Sequence, residues 1–177
     1  LSGCEHLVMA GGVAMNSAAN GRIEREGPFQ SLWVQPSSGD GGTAVGAALW
    51  TWHMLLSGTQ RHQWSHDRHG PAFDDDACRA ALAKGGWQWT EPQNVGQETE
   101  QAAANGELIG WFQGGAELGA RALGGRSILA DPRRVENKDV LNSRVKFREG
   151  FRPFAPSALQ ERADEFFELP EGCTVPW

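Results

Sequence analysis

Short apolar runs and helical stretches alternate along the first third of the chain. Each apolar run ends near glycine or proline, which predicts short strands, and the stretches between them have helical composition. We predict, in order, strand His6–Ala10, helix Val13–Glu26, strand Ser31–Gln35 and helix Thr43–Leu56. Pro36–Gly42 is a loop by composition, and Thr43 is a suitable helix cap. Alternating strands and helices favour a layered arrangement, so the predicted fold class is α/β.

The same alternation returns after a polar interruption. Residues 61–72 are rich in His and Gly and have no hydrophobic period, so we predict a linker between domains at 1–60 and 73–177. Further helices are predicted at Asp74–Lys84, Val95–Asn105, Val135–Val145 and Gln160–Glu168, and strands at Glu107–Gln113 and Ser127–Ala130. Gly114–Gly125 is a glycine-rich loop. Phe151–Leu159 is extended, because Pro153 and Pro156 exclude a helix.

Composition excludes several classes of protein. With 177 residues, 40% hydrophobic and 21% charged, the chain predicts one ordinary domain or two small ones. No stretch approaches the roughly 20 apolar residues that a membrane helix needs, and no secretory leader is present. Cys4, Cys78 and Cys173 are scattered and odd in number. They argue against a disulfide scaffold or a zinc knuckle and favour the reducing cytoplasm.

Charge is segregated along the chain. The net charge of −6 argues against a general nucleic-acid binder. The segment Arg121–Arg152, however, holds nine basic and four acidic residues and carries +5, which leaves −11 on the other residues. Most of its basic residues are arginines, whose forked guanidinium groups suit phosphates and carboxylates. We therefore expect an anion to bind this segment.

Two glycine-rich turns before predicted helices are candidate sites. At Gly11-Gly12, backbone N–H groups can approach a phosphate or ribose, and Asn16 lies one turn into the predicted helix. A tight turn that needs glycine for its backbone is the plainer explanation. In the loop SSGDGGT, Asp40 either ligates a metal or orients phosphates, or it caps the next helix. Neither turn matches a known phosphate-loop or dinucleotide fingerprint.

A third candidate lies in the predicted linker. His62, His66 and His69 are spaced so that they would share one face of a helix and hold zinc. Helix signals are poor there, and no accompanying carboxylate motif is present. We favour a solvated linker.

The richest constellation lies in two stretches, GWFQGGAELGARALGGRSILADPR (110–133) and NSRVKFREGFRPFAP (142–156). Glycine and proline turns frame five cations, which are Arg121, Arg126, Lys146, Arg148 and Arg152. Such a frame predicts a preorganised anion pocket, because partly desolvated guanidinium forks bind phosphate better than exposed ones. The alternative is a solvated charged face in which these cations pair with nearby acids.

These stretches resemble the C-terminal domain of NodU/CmcH-type O-carbamoyltransferases. LVMAGGVAMNSAANGRI and QPSSGDGGTAVGAAL resemble the last part of the same family's N-terminal domain, and the motifs stand in family order. The resemblance implies the edge of an actin-like ATPase domain followed by a YrdC-like domain. It also implies that carbamoyl phosphate and ATP form a carbamoyl-adenylate, whose carbamoyl group passes to a hydroxyl of a small molecule or oligosaccharide.

The resemblance also implies roles for individual residues. Asp40 matches a ligand of a divalent metal, Fe²⁺ or alternatively Mg²⁺, and Gly11, Gly12 and Asn16 match a nucleotide-contacting turn. The residues expected to hold carbamoyl phosphate and the nucleotide phosphates are Arg121, Arg126, Ser127, Lys146, Arg148 and Arg152. Two alternatives stay open at this point: a threonylcarbamoyl-type tRNA-modifying enzyme and a non-catalytic anion-binding module. Leu1 and Trp177 do not resemble natural termini, so we expect a piece of a longer protein.

Overall fold

A computed structural model describes residues 3–62, 64 and 66–169. The chain forms two compact units, and the division is not a simple cut along the sequence. The first unit contains the chain up to Phe73 together with the loop Gln113–Gly125. Of the described residues, the second contains Asp74–Phe112 and 126–169. Cys173, one of the three scattered cysteines, lies outside the described residues.

The first unit is built from two parallel strands and two α-helices. Strand β1 (His6–Met9) pairs in parallel with β2 (Ser31–Val34), so that His6 lies opposite Ser31 and Met9 opposite Val34. Helix α1 (Ser17–Glu26) connects them, and α2 (Thr43–Trp50) follows β2. A π-helical turn, Thr51–Leu55, prolongs α2. The β-α-β order confirms the predicted alternation in this unit.

The start of the first helix differs from the prediction. Gly12–Met15 forms a 3₁₀ turn, and the α-helix begins only at Ser17. The break occurs because the side chain of Asn16 accepts a hydrogen bond from the Ala19 N–H at 3.1 Å, which makes Asn16 the N-cap. The expectation that Asn16 lies one turn into the helix was therefore wrong.

The second unit contains three α-helices and an antiparallel strand pair. The elements are α3 (Asp75–Gly85), α4 (Val95–Ala104), β3 (Ile109–Phe112), β4 (Arg126–Leu129) and α5 (Asn137–Val140), which a π-helical turn, Leu141–Lys146, prolongs. Asp74 and Asn94 cap α3 and α4 by accepting N–H groups at 2.8 and 3.0 Å. The predicted helix Gln160–Glu168 is instead a 3₁₀ turn, Gln160–Glu165.

Polar contacts dominate the interior of the described chain. Among the described residues, Ala14 and Leu141 are the buried hydrophobic side chains. The buried polar ones are Ser37, Ser38, Asp67, Asp131, Asn137 and Asn142. Buried polar groups stabilise a fold where they are hydrogen-bonded, as the side chains of Asp131, Asn137 and Asn142 are in the second unit. Within the described residues, no helix is long and apolar enough to cross a membrane.

The fold class is therefore mixed helix and strand with two small sheets, in agreement with the predicted α/β class.

Candidate functional site

Three of the sequence motifs meet within the first unit. The backbone N–H of Gly11 donates to the carbonyl of Ser38 at 2.7 Å, which joins the first glycine turn to the loop that contains Asp40. Gly11 has a φ of 100°, so the turn uses the left-handed conformation that glycine adopts freely. Ser37 and Ser38 are buried beneath this junction. The geometry thus supports the backbone explanation of the glycine pair and also places the two motifs side by side.

The loop Gln113–Gly125 brings Arg121 to the same unit. An Nη of Arg121 donates to the carbonyl of Met15 at 3.4 Å, at the end of the first glycine turn. A Cβ added to Gly119 would lie 3.3 Å from the carbonyl oxygen of Pro36. Glycine at this position therefore permits the loop to lie close to the loop that contains Asp40. Gly11, Asp40 and Arg121 thus belong to one cluster of loops, although they come from three separate motifs of the sequence.

Glu117 organises this loop from within. Its Oε1 accepts the backbone N–H groups of Leu123 and Gly125 at 2.9 and 2.6 Å. The two ends of the loop are also joined, because the Gln113 N–H donates to the carbonyl of Gly125 at 2.9 Å. Sequence reasoning missed Glu117, since an acid among glycines carries no spacing signal of its own.

The predicted linker is hydrogen-bonded to the same loop. The Gly70 N–H donates to the carbonyl of Ala116 at 2.9 Å, and the Leu118 N–H donates to the carbonyl of Asp67 at 3.0 Å. Asp67 is 2% exposed, and its Oδ2 has no hydrogen-bond partner among the described residues. Burial is the main cause that raises the pKa of Asp67, and the charge of Glu117 adds to it.

Asp40 is exposed and stands at the start of a 3₁₀ turn, Asp40–Gly42, directly before α2. Its side chain makes no capping hydrogen bond, and Thr43 instead bonds the Asp40 carbonyl through Oγ1 at 2.6 Å. The carboxylate is therefore not used as a cap, which was the alternative to a metal role. Within residues 3–62, 64 and 66–169, no group of three or more His, Cys, Asp or Glu side chains is placed to hold a metal.

The three linker histidines are near one another without forming such a group. The rings of His66 and His69 are 4.7 Å apart between centroids, and those of His62 and His69 are 6.0 Å apart. Trp64 packs 4.7 Å from His69, so aromatic packing accounts for the cluster.

The remaining predicted anion ligands belong to the second unit. In the antiparallel pair β3–β4, Arg126 lies opposite Phe112 and Ser127 opposite Trp111. The guanidinium carbon of Arg126 sits 3.6 Å from the centroid of the Phe112 ring, a close cation–π contact. The ring thus supports one face of a half-buried guanidinium.

Arg148 and Arg152 line an open depression of about 760 Å³ together with Ser143, Phe147 and Glu149. Two contacts fix the guanidinium group of Arg148. Its Nε donates to Oδ1 of Asn142 at 2.7 Å, and its guanidinium carbon lies 4.7 Å from the Phe154 ring centroid. Lys146 is exposed at the end of the π-helical turn that precedes the depression. Of the five predicted cations, the structure thus brings Arg148 and Arg152 together at one depression.

Two acids of the basic segment are already paired. Glu149 Oε2 accepts from Arg152 Nε at 2.8 Å on the rim of the depression. A backbone hydrogen bond at Glu149 and then the charge of Arg152 lower the pKa of that carboxyl. Asp131, which is buried, binds Arg133 through both carboxylate oxygens, and this hydrogen bonding lowers the pKa of Asp131 to about 2. Arg152 therefore meets a competing carboxylate, as the solvated-face alternative predicted, whereas Arg148 is held by neutral partners.

Comparison with known proteins gives the family. Residues 2–49 match the model described as carbamoyltransferase N-terminus, and residues 100–175 match the one described as carbamoyltransferase C-terminus. The chain is 45% identical to nodulation protein NolNO of Sinorhizobium fredii, over 97% of this chain and 26% of that protein. It is 43% identical to nodulation protein NolO of Bradyrhizobium diazoefficiens, over 97% and 32%.

Nodulation protein U of Rhizobium fredii is 38% identical, over 94% of this chain and 27% of the relative. The chain therefore spans about a quarter to a third of the length of these relatives. Both family models match in the order that the motifs indicated, on either side of the segment predicted as a linker. The chain belongs to the carbamoyltransferase family.

Proposed function

We propose that the protein to which this chain belongs is an ATP-dependent O-carbamoyltransferase that forms carbamoyl-adenylate and transfers its carbamoyl group to a substrate hydroxyl. The observation that carries the proposal is the depression lined by Arg148 and Arg152, within the match to the carbamoyltransferase C-terminus. The guanidinium of Arg148 is half-buried and its hydrogen bonds go to neutral partners, so it is available to an anion even though the carboxylate of Glu149, which is paired with Arg152, lines the same depression.

The proposed chemistry needs charge stabilisation more than covalent participation. Carbamate, formed when water releases phosphate from carbamoyl phosphate, attacks the α-phosphorus of ATP, and the bond to pyrophosphate breaks. The acceptor hydroxyl oxygen then takes the carbamoyl carbon, AMP leaves and the hydroxyl proton is lost to base. In the first step negative charge builds at the α-phosphate, and Arg126, Arg148 and Arg152 are the proposed groups that offset it. Lys146 and Ser127 are proposed as further phosphate ligands.

We assign the loop cluster of the first unit to the acceptor half of the reaction. Gly11, Gly12 and Asn16 are proposed to contact a nucleotide through backbone groups, and Arg121 to contact phosphate. Asp40 offers an exposed carboxylate, which suits a divalent cation such as Fe²⁺ or Mg²⁺ as one ligand among several. Such a cation would polarise an oxygen of the substrate. Because the described residues supply no group of three such donors, further ligands would come from outside them.

The proposal also covers the fold of each domain, the cellular compartment and the class of acceptor. We propose an actin-like edge over 1–60 and a YrdC-like domain over 73–177, joined by 61–72. We propose a cytoplasmic setting, which the scattered and odd-numbered cysteines favour. The acceptor is proposed to be a hydroxylated small molecule or an oligosaccharide.

The test is pyrophosphate release by the full-length protein with carbamoyl phosphate and ATP. We expect pyrophosphate without acceptor, and AMP once an acceptor is supplied. Arg126→Ala should slow pyrophosphate release about tenfold or more, because a supported charged contact is lost. Arg162→Ala is the matched control, since Arg162 forms an exposed ion pair with Glu165 in the same unit. Folded protein that binds both donors but releases no pyrophosphate would instead be an anion-binding module.

A further inference from the structure

Phe147 has a backbone conformation that its side chain does not favour. Its φ and ψ are 49° and 50°, in the left-handed region, at the end of the π-helical turn Leu141–Lys146. Among the described residues, Ser57 is the other non-glycine residue with positive φ. Phenylalanine is rare in this region because its Cβ crowds the backbone, so the turn alone would favour glycine or asparagine.

The fold enforces this conformation without using the ring. The backbone N–H groups of Phe147 and Arg148 both donate to the carbonyl of Asn142, whose side chain is 1% exposed. The Phe147 side chain is 83% exposed, so packing of the ring does not offset the strain. A strained residue with an unpacked aromatic ring points to a role in binding.

The position of the ring indicates what it binds. Phe147 lines the same depression as Arg148 and Arg152, so a flat apolar face and two guanidinium groups share one surface. A phosphate alone requires the cations and not the ring. A ligand that requires both has a planar aromatic group joined to phosphates, which describes a nucleotide.

We propose that Phe147 stacks on the base of a nucleotide whose phosphates pair with Arg148 and Arg152. This inference rests on the proposed function, in which ATP is a substrate, and it assigns a specificity residue to that site. Stacking of a base on an aromatic side chain depends little on base identity, so Phe147 selects nucleotides over simple polyphosphates. The phosphate displaces Glu149 from Arg152, while Arg148 keeps its contact with Asn142.

The experiment compares two probes, ATP and tripolyphosphate, by calorimetry on the full-length protein. Tripolyphosphate carries the phosphate chain without the base. Phe147→Leu and Phe147→Gly should weaken ATP binding about tenfold, as expected for loss of one stacking contact, and should change tripolyphosphate binding less than about twofold. Phe147→Trp should retain ATP binding. Phe151→Leu is the matched control, because Phe151 is 76% exposed but does not line the depression.

The melting temperature of Phe147→Gly provides a second readout. If Phe147 had only a structural role, its replacement would lower the melting temperature. Glycine accepts the left-handed conformation, so Phe147→Gly should leave the melting temperature unchanged or raise it while ATP binding falls. The proposal would be overturned if the Phe147 variants lost affinity equally for ATP and tripolyphosphate. It would also be overturned if Phe147→Leu and Phe147→Gly both bound ATP as the unaltered protein does.

One further variant separates this proposal from the function on which it rests. If Arg152→Ala weakens tripolyphosphate binding but the Phe147 variants leave ATP binding intact, the base does not stack on Phe147 and the anion site stands. If Arg152→Ala changes the binding of neither ATP nor tripolyphosphate, and the unaltered full-length protein releases no pyrophosphate, the proposed function fails as well.

Discussion

The buried amide of Asn142 accepts a hydrogen bond at 2.7 Å from Nε of Arg148. The same side chain donates through Nδ2 to the carbonyl of Arg152 at 3.0 Å. One neutral side chain thus fixes the guanidinium of one arginine and the backbone of the other. Because an amide both donates and accepts, neither a carboxylate nor an aliphatic side chain can replace it here.

We expect Asn142→Ala to weaken carbamoyl phosphate and tripolyphosphate binding by about tenfold in the full-length protein, because Arg148 loses a charged hydrogen bond. Asn137→Ala is the matched control. Asn137 is likewise a buried asparagine of the second unit, and its Nδ2 donates to the Asp131 carbonyl at 2.9 Å. Both variants should lose stability in urea, whereas only Asn142→Ala should lose anion affinity. Equal affinity losses would show that Asn142 acts through stability alone.

The Glu149–Arg152 ion pair should compete with bound anions. Glu149→Gln removes the competing charge and is expected to tighten tripolyphosphate binding by about threefold, a modest effect typical of an exposed pair. Glu165→Gln is the matched control, because Arg162–Glu165 is also an exposed pair with a three-residue spacing. Titration at low and high salt checks the cause, since the gain should shrink as salt screens the pair. Weaker binding in Glu149→Gln would contradict competition.

Glu117 should set the geometry of the loop that presents Arg121. Glu117→Ala removes the acceptor of the Leu123 and Gly125 N–H groups, so we expect slower carbamoyl transfer and faster hydrogen exchange at these two amides. Glu117→Gln retains an oxygen acceptor and should restore most of the protection. If glutamine behaves like alanine, the negative charge of Glu117 matters more than its hydrogen bonds.

The Asp131–Arg133 pair should make stability depend on pH in the acid range. The pKa of Asp131 is lowered to about 2 by the hydrogen bonds from Arg133. Its ionised form therefore stabilises the fold above about pH 4, the ordinary pKa of Asp, and this contribution is lost as the pH falls toward 2. Asp131→Asn should lower the urea midpoint at pH 7 and have less effect near pH 2. In an Arg133→Ala background the same change should cost less, which a double-mutant cycle will measure.

The sequence alone determined the order of strands and helices and the residues that carry the charge. Apolar runs that end near glycine or proline predicted β1 and β2, and the helices predicted at Asp74–Lys84 and Val95–Asn105 correspond to α3 and α4, because these signals are local along the chain. The structure adds that Asp74 and Asn94 cap these two helices. Asn16 shows the limit of local reasoning. Asparagine can lie inside a helix or cap one. Here the preceding residues form a 3₁₀ turn, and Asn16 caps the α-helix that follows.

Only the tertiary structure decided which of these residues act together. Gln113–Gly125 joins the first unit although it lies within the sequence of the second, so Arg121 meets Met15 across more than a hundred residues. Asn142 and Phe147 carry no charge, so the charge pattern did not single them out, yet Asn142 positions Arg148 and Phe147 lines the depression beside it. Burial, backbone strain and hydrogen-bond partners depend on how the chain packs in three dimensions, both within one turn, as for Asn142 and Arg148, and between distant segments, as for Arg121 and Met15. A linear pattern of residue types does not contain those contacts.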